Sequence, residues 1–358
     1  MAALPLSCAV ACQSNSRALL PPSGLSPAYD APASCAQSAF LARTVAWAAP
    51  ATIKRVWQPD WAGPVLFSPG EKPMKIPPHR FCAIEGEWTV PKARPTINCH
   101  NRWEQADGSS LWIAIDGWSG TFKAHERGKD DKWHTYDSTD ILQAGSESDV
   151  PCYHGGSPDG YPTTAYFWIE WSGKRNIRVT QHHRNLPLHP GDRIDVRIAA
   201  DITGTHAWRR ATLWLVNETT GDHYPPRTFD SGCVDSGDPW QRPATLFGNT
   251  AEWIVEATFY SSVRRRLPNT LNDFGSVTMD RVSVTDQDGV TYDLTHANGA
   301  TRNLDWMTWN GVPLNENGTL LACTTISGER SATFTRAPYV IVTPGQQGKL
   351  EPKPKNCR

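Results

Sequence analysis

The sequence predicts an all-β fold, a two-sheet sandwich in which a concave sheet forms an open groove. Its many short segments alternate apolar and polar residues at the period of a strand, whose side chains point to opposite faces in turn. The chain holds 29 Pro and 27 Gly in 358 residues, a composition suited to strands joined by turns. No segment holds a helical period across about ten residues, and no repeat of fixed length is visible.

Residues 1–57 are rich in Ala, Ser and Pro and read as a leader, pro-segment or disordered arm. Their first residues are mildly apolar, lack a basic flank and are interrupted by Pro5, which makes a poor signal peptide. Residues 58–338 read as one β domain and 339–358 as a polar tail. Within the domain, Phe81 to Val90 alternates as a strand and stops at Pro91, which cannot donate within a ladder. Residues 111–116 form a strand closed by Gly117, 119–139 read as a long loop, and Ile141-Leu-Gln-Ala-Gly145 is a short strand. Residues 163–171 and 192–198 follow, the latter introduced by Pro190-Gly191. Ala211 to Val216 is a strand, and 223–250 read as loop. Strands at 251–259 and 274–284, a hairpin turn at Asp286-Gln-Asp-Gly289, and strands at 306–313, 320–326 and 331–335 complete the set.

Three of these segments organise the rest. Leu111, Ile113 and Ile115 share one face of their strand, with Trp112, Ala114 and Asp116 on the other. Phe167, Ile169 and Trp171 oppose Tyr166, Trp168 and Glu170, and Trp253 and Val255 oppose Glu252, Ile254 and Glu256. One face of each is apolar and suits a core. The other pairs large aromatics with carboxylates, and reads as a groove that binds something.

Composition narrows the function. A net charge of −1 supplies no basic excess to neutralise phosphates, so nucleic acid is not expected as a partner. No run reaches the ~20 apolar residues of a membrane span. The nine Cys are scattered through turn-rich sequence and form no paired C-x-x-C set, which fits a secreted protein with some disulfides rather than a zinc site. Adjacent His182 and His183 would point to opposite faces of a strand and cannot share a metal. Asn217-Glu-Thr219 and Asn317-Gly-Thr319 have the form of glycosylation acceptors. Neither a G-x-S-x-G elbow nor a phosphate-binding glycine loop occurs. What remains are carboxylates with an amide nearby, compatible with glycosidic hydrolysis by paired acids or with water activated against an amide.

In order along the chain stand Trp61-Ala-Gly63, Gly86-Glu-Trp-Thr-Val-Pro91, Leu111-Trp-Ile-Ala-Ile-Asp-Gly117, Ile141-Leu-Gln-Ala-Gly145, Trp168-Ile-Glu-Trp171, Asn217-Glu-Thr-Thr-Gly221, Ala251-Glu-Trp-Ile-Val-Glu256 and Phe274-Gly-Ser-Val-Thr278. This series resembles the ordered motifs of the glutamic peptidases, the eqolisins. The resemblance implies a concanavalin A-like sandwich of two antiparallel sheets with a concave substrate groove, and an endopeptidase acting at acidic pH, without metal or cofactor, secreted, with polypeptide substrates. We expect a monomer with no nucleic-acid or membrane partner. It implies that Gln143 and Glu256 form the catalytic dyad, and that Trp112, Asp116, Glu170 and Glu87 bind or support substrate. It gives Glu252 no catalytic role. An unperturbed Glu near ~4.3 would account for acid activity. Two features depart from the family pattern: a sequence pI near 6.8, and Asp60 where Asn is expected before Trp61. The alternatives from the residues alone are a lectin-like or glycan-active sandwich, or a peptidase-like binding domain without activity.

Overall fold

The computed structural model describes Cys35 and residues 53–58, 60–69, 78–95, 106–117, 123–127, 133–137, 140–151, 164–171, 177–178, 188–201, 210–230, 246–258, 271–295, 301–308 and 320–337. His182, His183 and Asn317 lie outside them. The strands are β1 (Ile53–Gln58), β2 (Trp61–Phe67), β3 (Phe81–Thr89), β4 (Ala106–Asp116), β5 (Lys123–Arg127), β6 (Trp133–Asp137), β7 (Ile141–Pro151), β8 (Thr164–Trp171) and β9 (Ile177–Arg178). They continue as β10 (Arg193–Ala200), β11 (Arg210–Asn217), β12 (His223–Asp230), β13 (Thr250–Glu256), β14 (Ser276–Asp286), β15 (Thr291–Tyr292), β16 (Thr301–Thr308), β17 (Leu320–Gly328) and β18 (Ser331–Arg336).

The two layers of the expected sandwich are joined. Hydrogen bonding runs unbroken in the order β12-β11-β10-β3-β14-β18-β17-β16-β2-β13-β4-β7-β8-β9, so one antiparallel sheet folds back on itself. β3 and β10 lie across β4, β7 and β13. The join between β16 and β17 is narrow: it rests on Met307 paired with Ala322 and Thr308 paired with Leu320, with a register shift between them. Such bulges sharpen local twist and let a sheet turn a corner.

Alternation decides which residues fill the interior. Leu111, Ile113, Ile115, Phe167, Ile169, Trp171, Trp253 and Val255 all enter the main core with Ile84, Trp88, Val196 and Phe334. Two indoles stitch the layers across it. Trp253 on β13 donates from Nε1 to the Glu85 carbonyl on β3, 2.8 Å away, and Trp88 on β3 donates to Ser146 Oγ on β7 at 2.9 Å. A buried indole N–H needs such an acceptor, so the register of each layer against the other is specified as well as packed.

Several segments depart from the sequence reading. Residues 123–127 and 133–137, read as loop, form the two-stranded β5–β6 sheet. Lys-Ala-His-Glu-Arg and Trp-His-Thr-Tyr-Asp carry little apolar alternation, yet backbone pairing does not require it. Residues 223–230, also read as loop, are the edge strand β12. Pro225 and Pro226 hid it. They sit where the β11–β12 register shifts between Leu213 and Leu215, and proline is tolerated at an edge or a bulge. Ile53–Gln58, all but its last residue inside the stretch read as a leader, runs parallel to β16, and Cys35 is disulfide-bonded to Cys82 on β3. β4 and β7 run longer than expected, through the polar Asp107-Gly-Ser-Ser110 and Ser146-Glu-Ser-Asp149, where buried polar groups replaced the apolar signal. The Asp286–Gly289 turn is present, with Gly289 at φ 80 and its N–H on the Asp286 carbonyl at 3.0 Å. Asn217 is fully buried and donates to Asp192 Oδ2 at 2.8 Å, so the first glycosylation sequence is closed to a transferase in the folded chain.

Candidate active site

β13, β4, β7 and β8 lie side by side, and their register sorts the face opposite the core into rows. The first row holds Glu256, Ser110, Glu147 and Tyr166; the next Ile254, Trp112, Gly145 and Trp168; the third Glu252, Ala114, Gln143 and Glu170. Trp112, Ala114, Tyr166, Trp168 and Ile254 cluster here with Val65 and Phe67 of β2, apart from the main core. The expected second face therefore exists, but its rings are not open platforms: Trp112 is 0% and Trp168 4% exposed. Their indole N–H groups are engaged with Glu256 Oε2 and Ser110 Oγ, at 2.8 and 2.7 Å.

On this buried floor, Gln143, Glu147, Glu170 and Glu256 keep partial exposure, as do Trp61 and Ile141. Gln143 and Glu256 share the face, two rows apart, with β4 between their strands. Two groups link them. Trp112, in the middle row, donates to Glu256. Glu170 accepts from Gln143 Nε2 at 3.3 Å, and its charge also acts on Glu256. The Gln143 Oε1 atom is buried without a hydrogen-bond partner. Close strand contact underlies the arrangement. A Cβ at Gly145 would stand 2.1 Å from the Leu111 carbonyl oxygen and 2.7 Å from the Trp112 Cα, so β4 and β7 meet here only through glycine.

Electrostatics single out Glu256. Its carboxyl is enclosed although the residue keeps some surface at the strand end, and burial pushes its pKa up to about 7. Asp60 and Glu170 push in the same direction, while hydrogen bonds from Trp112 and Trp61 oppose them. Glu170 is raised by burial, against its bond from Gln143. The expectation of an unperturbed glutamate does not hold, because the site removes water and adds like charge.

The remaining proposed residues lie differently. Asp116 is buried and is engaged with its own fold: its carboxylate accepts from the amides of Phe247, Gly248 and Asn249 at 2.5, 3.1 and 2.8 Å. Arg80 grips the same segment through the Phe247 and Leu246 carbonyls. Together they anchor the approach to β13. Burial pushes Asp116 up to about 6, with the three amides and Arg80 opposing. Substitution Asp116→Ala is expected to cost about 2–3 kcal/mol of folding stability, measured as a fall in the denaturant midpoint. Glu87 is not brought to this face. It sits on β3 of the other layer, paired with Arg193 and Arg281 in a charged network with Asp195.

Residues without an assigned role also meet here. The Trp61 ring lies edge-on to Trp112, with centroids 5.0 Å apart, and its side chain hydrogen-bonds Glu256. Asp60 precedes it and is raised by burial. Asp305 on β16 pairs with Gly63, is fully buried with both carboxylate oxygens unpartnered, and is pushed up to about 8 by burial. The place of Asp60 and Trp61 near Glu256, and of Asp305 on the far side of β2, comes from long-range pairing of β2 with β13 and β16, which local patterning does not contain. Among the described residues, His79, Asp286 and Asp288 bring potential metal-ligand atoms within 4.8 Å of one another. Asp286 and Asp288 lie at the β14–β15 turn and His79 just before β3, and Asp286 already accepts from Tyr292, Asp288 and Val290.

No curated protein matches the chain. Among solved structures, it is similar to scytalido-glutamic peptidase with a peptide-based transition-state analogue, at 19% identity over 78% of this chain and 99% of that one, TM-score 0.49. It is similar to SCP-B, a member of the eqolisin family in complex with the tripeptide Ala-Ile-His, at 18% identity over 78% and 99%, TM-score 0.45. Aspergilloglutamic peptidase from Aspergillus niger matches at 23% identity over 64% and 98%, TM-score 0.39. The family model of the peptidase A4 family matches residues 59–336, most of the chain. The chain therefore belongs to the peptidase A4 family, the glutamic peptidases, and is a glutamic-type endopeptidase.

Proposed function

We propose that the protein hydrolyses peptide bonds in polypeptides, with Glu256 as general base and then acid and Gln143 as oxyanion donor. One observation carries this reading: on a face of buried side chains, the partly exposed polar groups include Gln143, Glu170 and Glu256, and they are electrostatically linked. Ionised Glu256, oriented by Trp112 and Trp61, takes a proton from a water that attacks the scissile carbonyl. The Gln143 amide is a neutral donor at any working pH. One of its hydrogens faces Glu170, which sets the plane of the amide and leaves the other for the developing oxyanion. Protonated Glu256 then delivers its proton to the leaving amine.

The pH range follows by sign. The base form of Glu256 is needed for attack, and its pKa is raised to about 7. The kcat/KM profile of the free enzyme should therefore fall as pH drops below about 7, up to tenfold per unit. This moves the working range up from the strongly acidic optimum that an unperturbed glutamate would give, toward mildly acidic and neutral conditions.

The test is cleavage of denatured casein and a mixed peptide library from about pH 3 to 8, with pepstatin and EDTA present. Substitution Gln143→Ala should lower kcat by ~10²–10³ with an unchanged unfolding midpoint. Cleavage at the wild-type rate in that variant would remove Gln143 from the mechanism. Trp112 and Trp168 argue against the lectin-like alternative, since a sugar platform needs exposed ring faces and both are buried. We also propose that residues 58–338 are the catalytic domain and that the protein works outside the reducing cytosol. The disulfides at Cys35–Cys82 and at Cys323 support an oxidising compartment.

A further inference from the structure

Resting on the peptidase reading, we infer that Asp60 is a positioning residue of the reaction: its carboxylate, placed beside Glu256, keeps a proton available to the site. The placement is built by the fold. The Ala257 N–H donates to the Asp60 carbonyl at 2.9 Å, and Glu256 pairs with Trp61, so the residues flanking both carboxylates are locked together. Asp60 is partly buried, and no residue separates it from the indole that bonds Glu256.

Among the described residues, the groups that act on Glu256 include no cation. On the face of Glu256 lie Trp61 from β2, Ser110 and Trp112 from β4, Gln143 and Glu147 from β7 and Glu170 from β8, and the charge of Asp60, just before β2, acts on Glu256. Glu252 lies on β13 itself. At the periphery, Asp305 pairs with Gly63 and Arg178 on β9 is in register with Trp168. Among the described residues, the near groups are neutral donors or acids. Two like charges in a partly desolvated site cannot both ionise freely, so one proton is shared over a wider pH range. After burial, Asp60 is the largest cause raising Glu256. An amide at position 60 would remove that charge and keep the side-chain volume.

Substitution Asp60→Asn therefore acts on proton affinity and leaves the shape of the site alone. Two readouts test it. The indole N–H signals of Trp112 and Trp61, assigned by phenylalanine substitutions, report Glu256 titration without any substrate. In Asp60→Asn their midpoint should move to lower pH, and the acidic limb of kcat/KM should move with it, raising activity near pH 5 at least ~3-fold. Asp60→Glu should restore the wild-type midpoint, and the unfolding midpoint should stay constant in both. An indole midpoint unmoved by Asp60→Asn overturns the inference, whatever the rate. A wild-type enzyme that cleaves nothing sinks the peptidase reading, while the indole titration still decides the role of Asp60.

Discussion

Glu256→Gln is expected to reduce kcat/KM on a peptide substrate by about 10³-fold or more, equivalent to about 4 kcal/mol of transition-state stabilisation. The change is close to isosteric. It keeps an acceptor for the indoles of Trp61 and Trp112, so the floor of the site should survive, but a neutral amide cannot take a proton from water. The loss should fall on kcat, with KM nearly constant and the residual rate flat across the pH range where wild type varies. Replacing a buried group pushed up to about 7 by its neutral counterpart removes a charge that the fold disfavours. Stability should thus hold or rise at pH above about 7, where wild-type Glu256 is ionised against its surroundings. A variant that cleaves at more than a tenth of the wild-type rate would mean another group is the base.

Trp253→Ala is expected to produce the largest loss of stability, about 3–5 kcal/mol, read as a fall in the denaturant midpoint with m unchanged. Trp253 is 0% exposed and reaches from β13 to the backbone of β3. Truncation empties the space between the layers and leaves the Glu85 carbonyl without its indole donor. β13 also carries Glu252, Ile254 and Glu256 on its other face, so loosening it should lower activity before global unfolding. Trp253→Phe separates the two contributions, since it restores much of the volume and lacks the N–H. A destabilisation of Trp253→Ala below about 1 kcal/mol would show that the layers do not depend on this cross-core contact.

Legibility in the sequence followed physical scale. Alternation along one strand is local, so the two faces of residues 111–116, 165–171 and 251–256 were readable, and they sort into separate clusters as expected. Gly145 was visible as part of a motif, but only the structure shows that the Leu111 carbonyl excludes a side chain there. Asp116 and Glu87 look alike in sequence, as acids within recognised motifs. One is consumed by the amides of 247–249 and the other by Arg193 and Arg281, because distant segments complete their surroundings. Strand β12 escaped because Pro225-Pro226 signals a break that an edge position tolerates. The neighbours of Glu256 come from β2, β4 and β8, and their joint effect on its proton affinity is a property of pairing across the sheet.

The bond between Cys35 and Cys82 spans 47 positions of the chain, and β1 lies between its ends. A single cut by any protease between those cysteines opens the backbone without separating the products. The severed arm would remain a covalent second chain, visible as a lighter band only after reduction. Its local concentration at the β3 layer would be set by the tether and would not fall on dilution. Whatever the arm contacts while intact, it would go on contacting after the cut, until a reductant frees it.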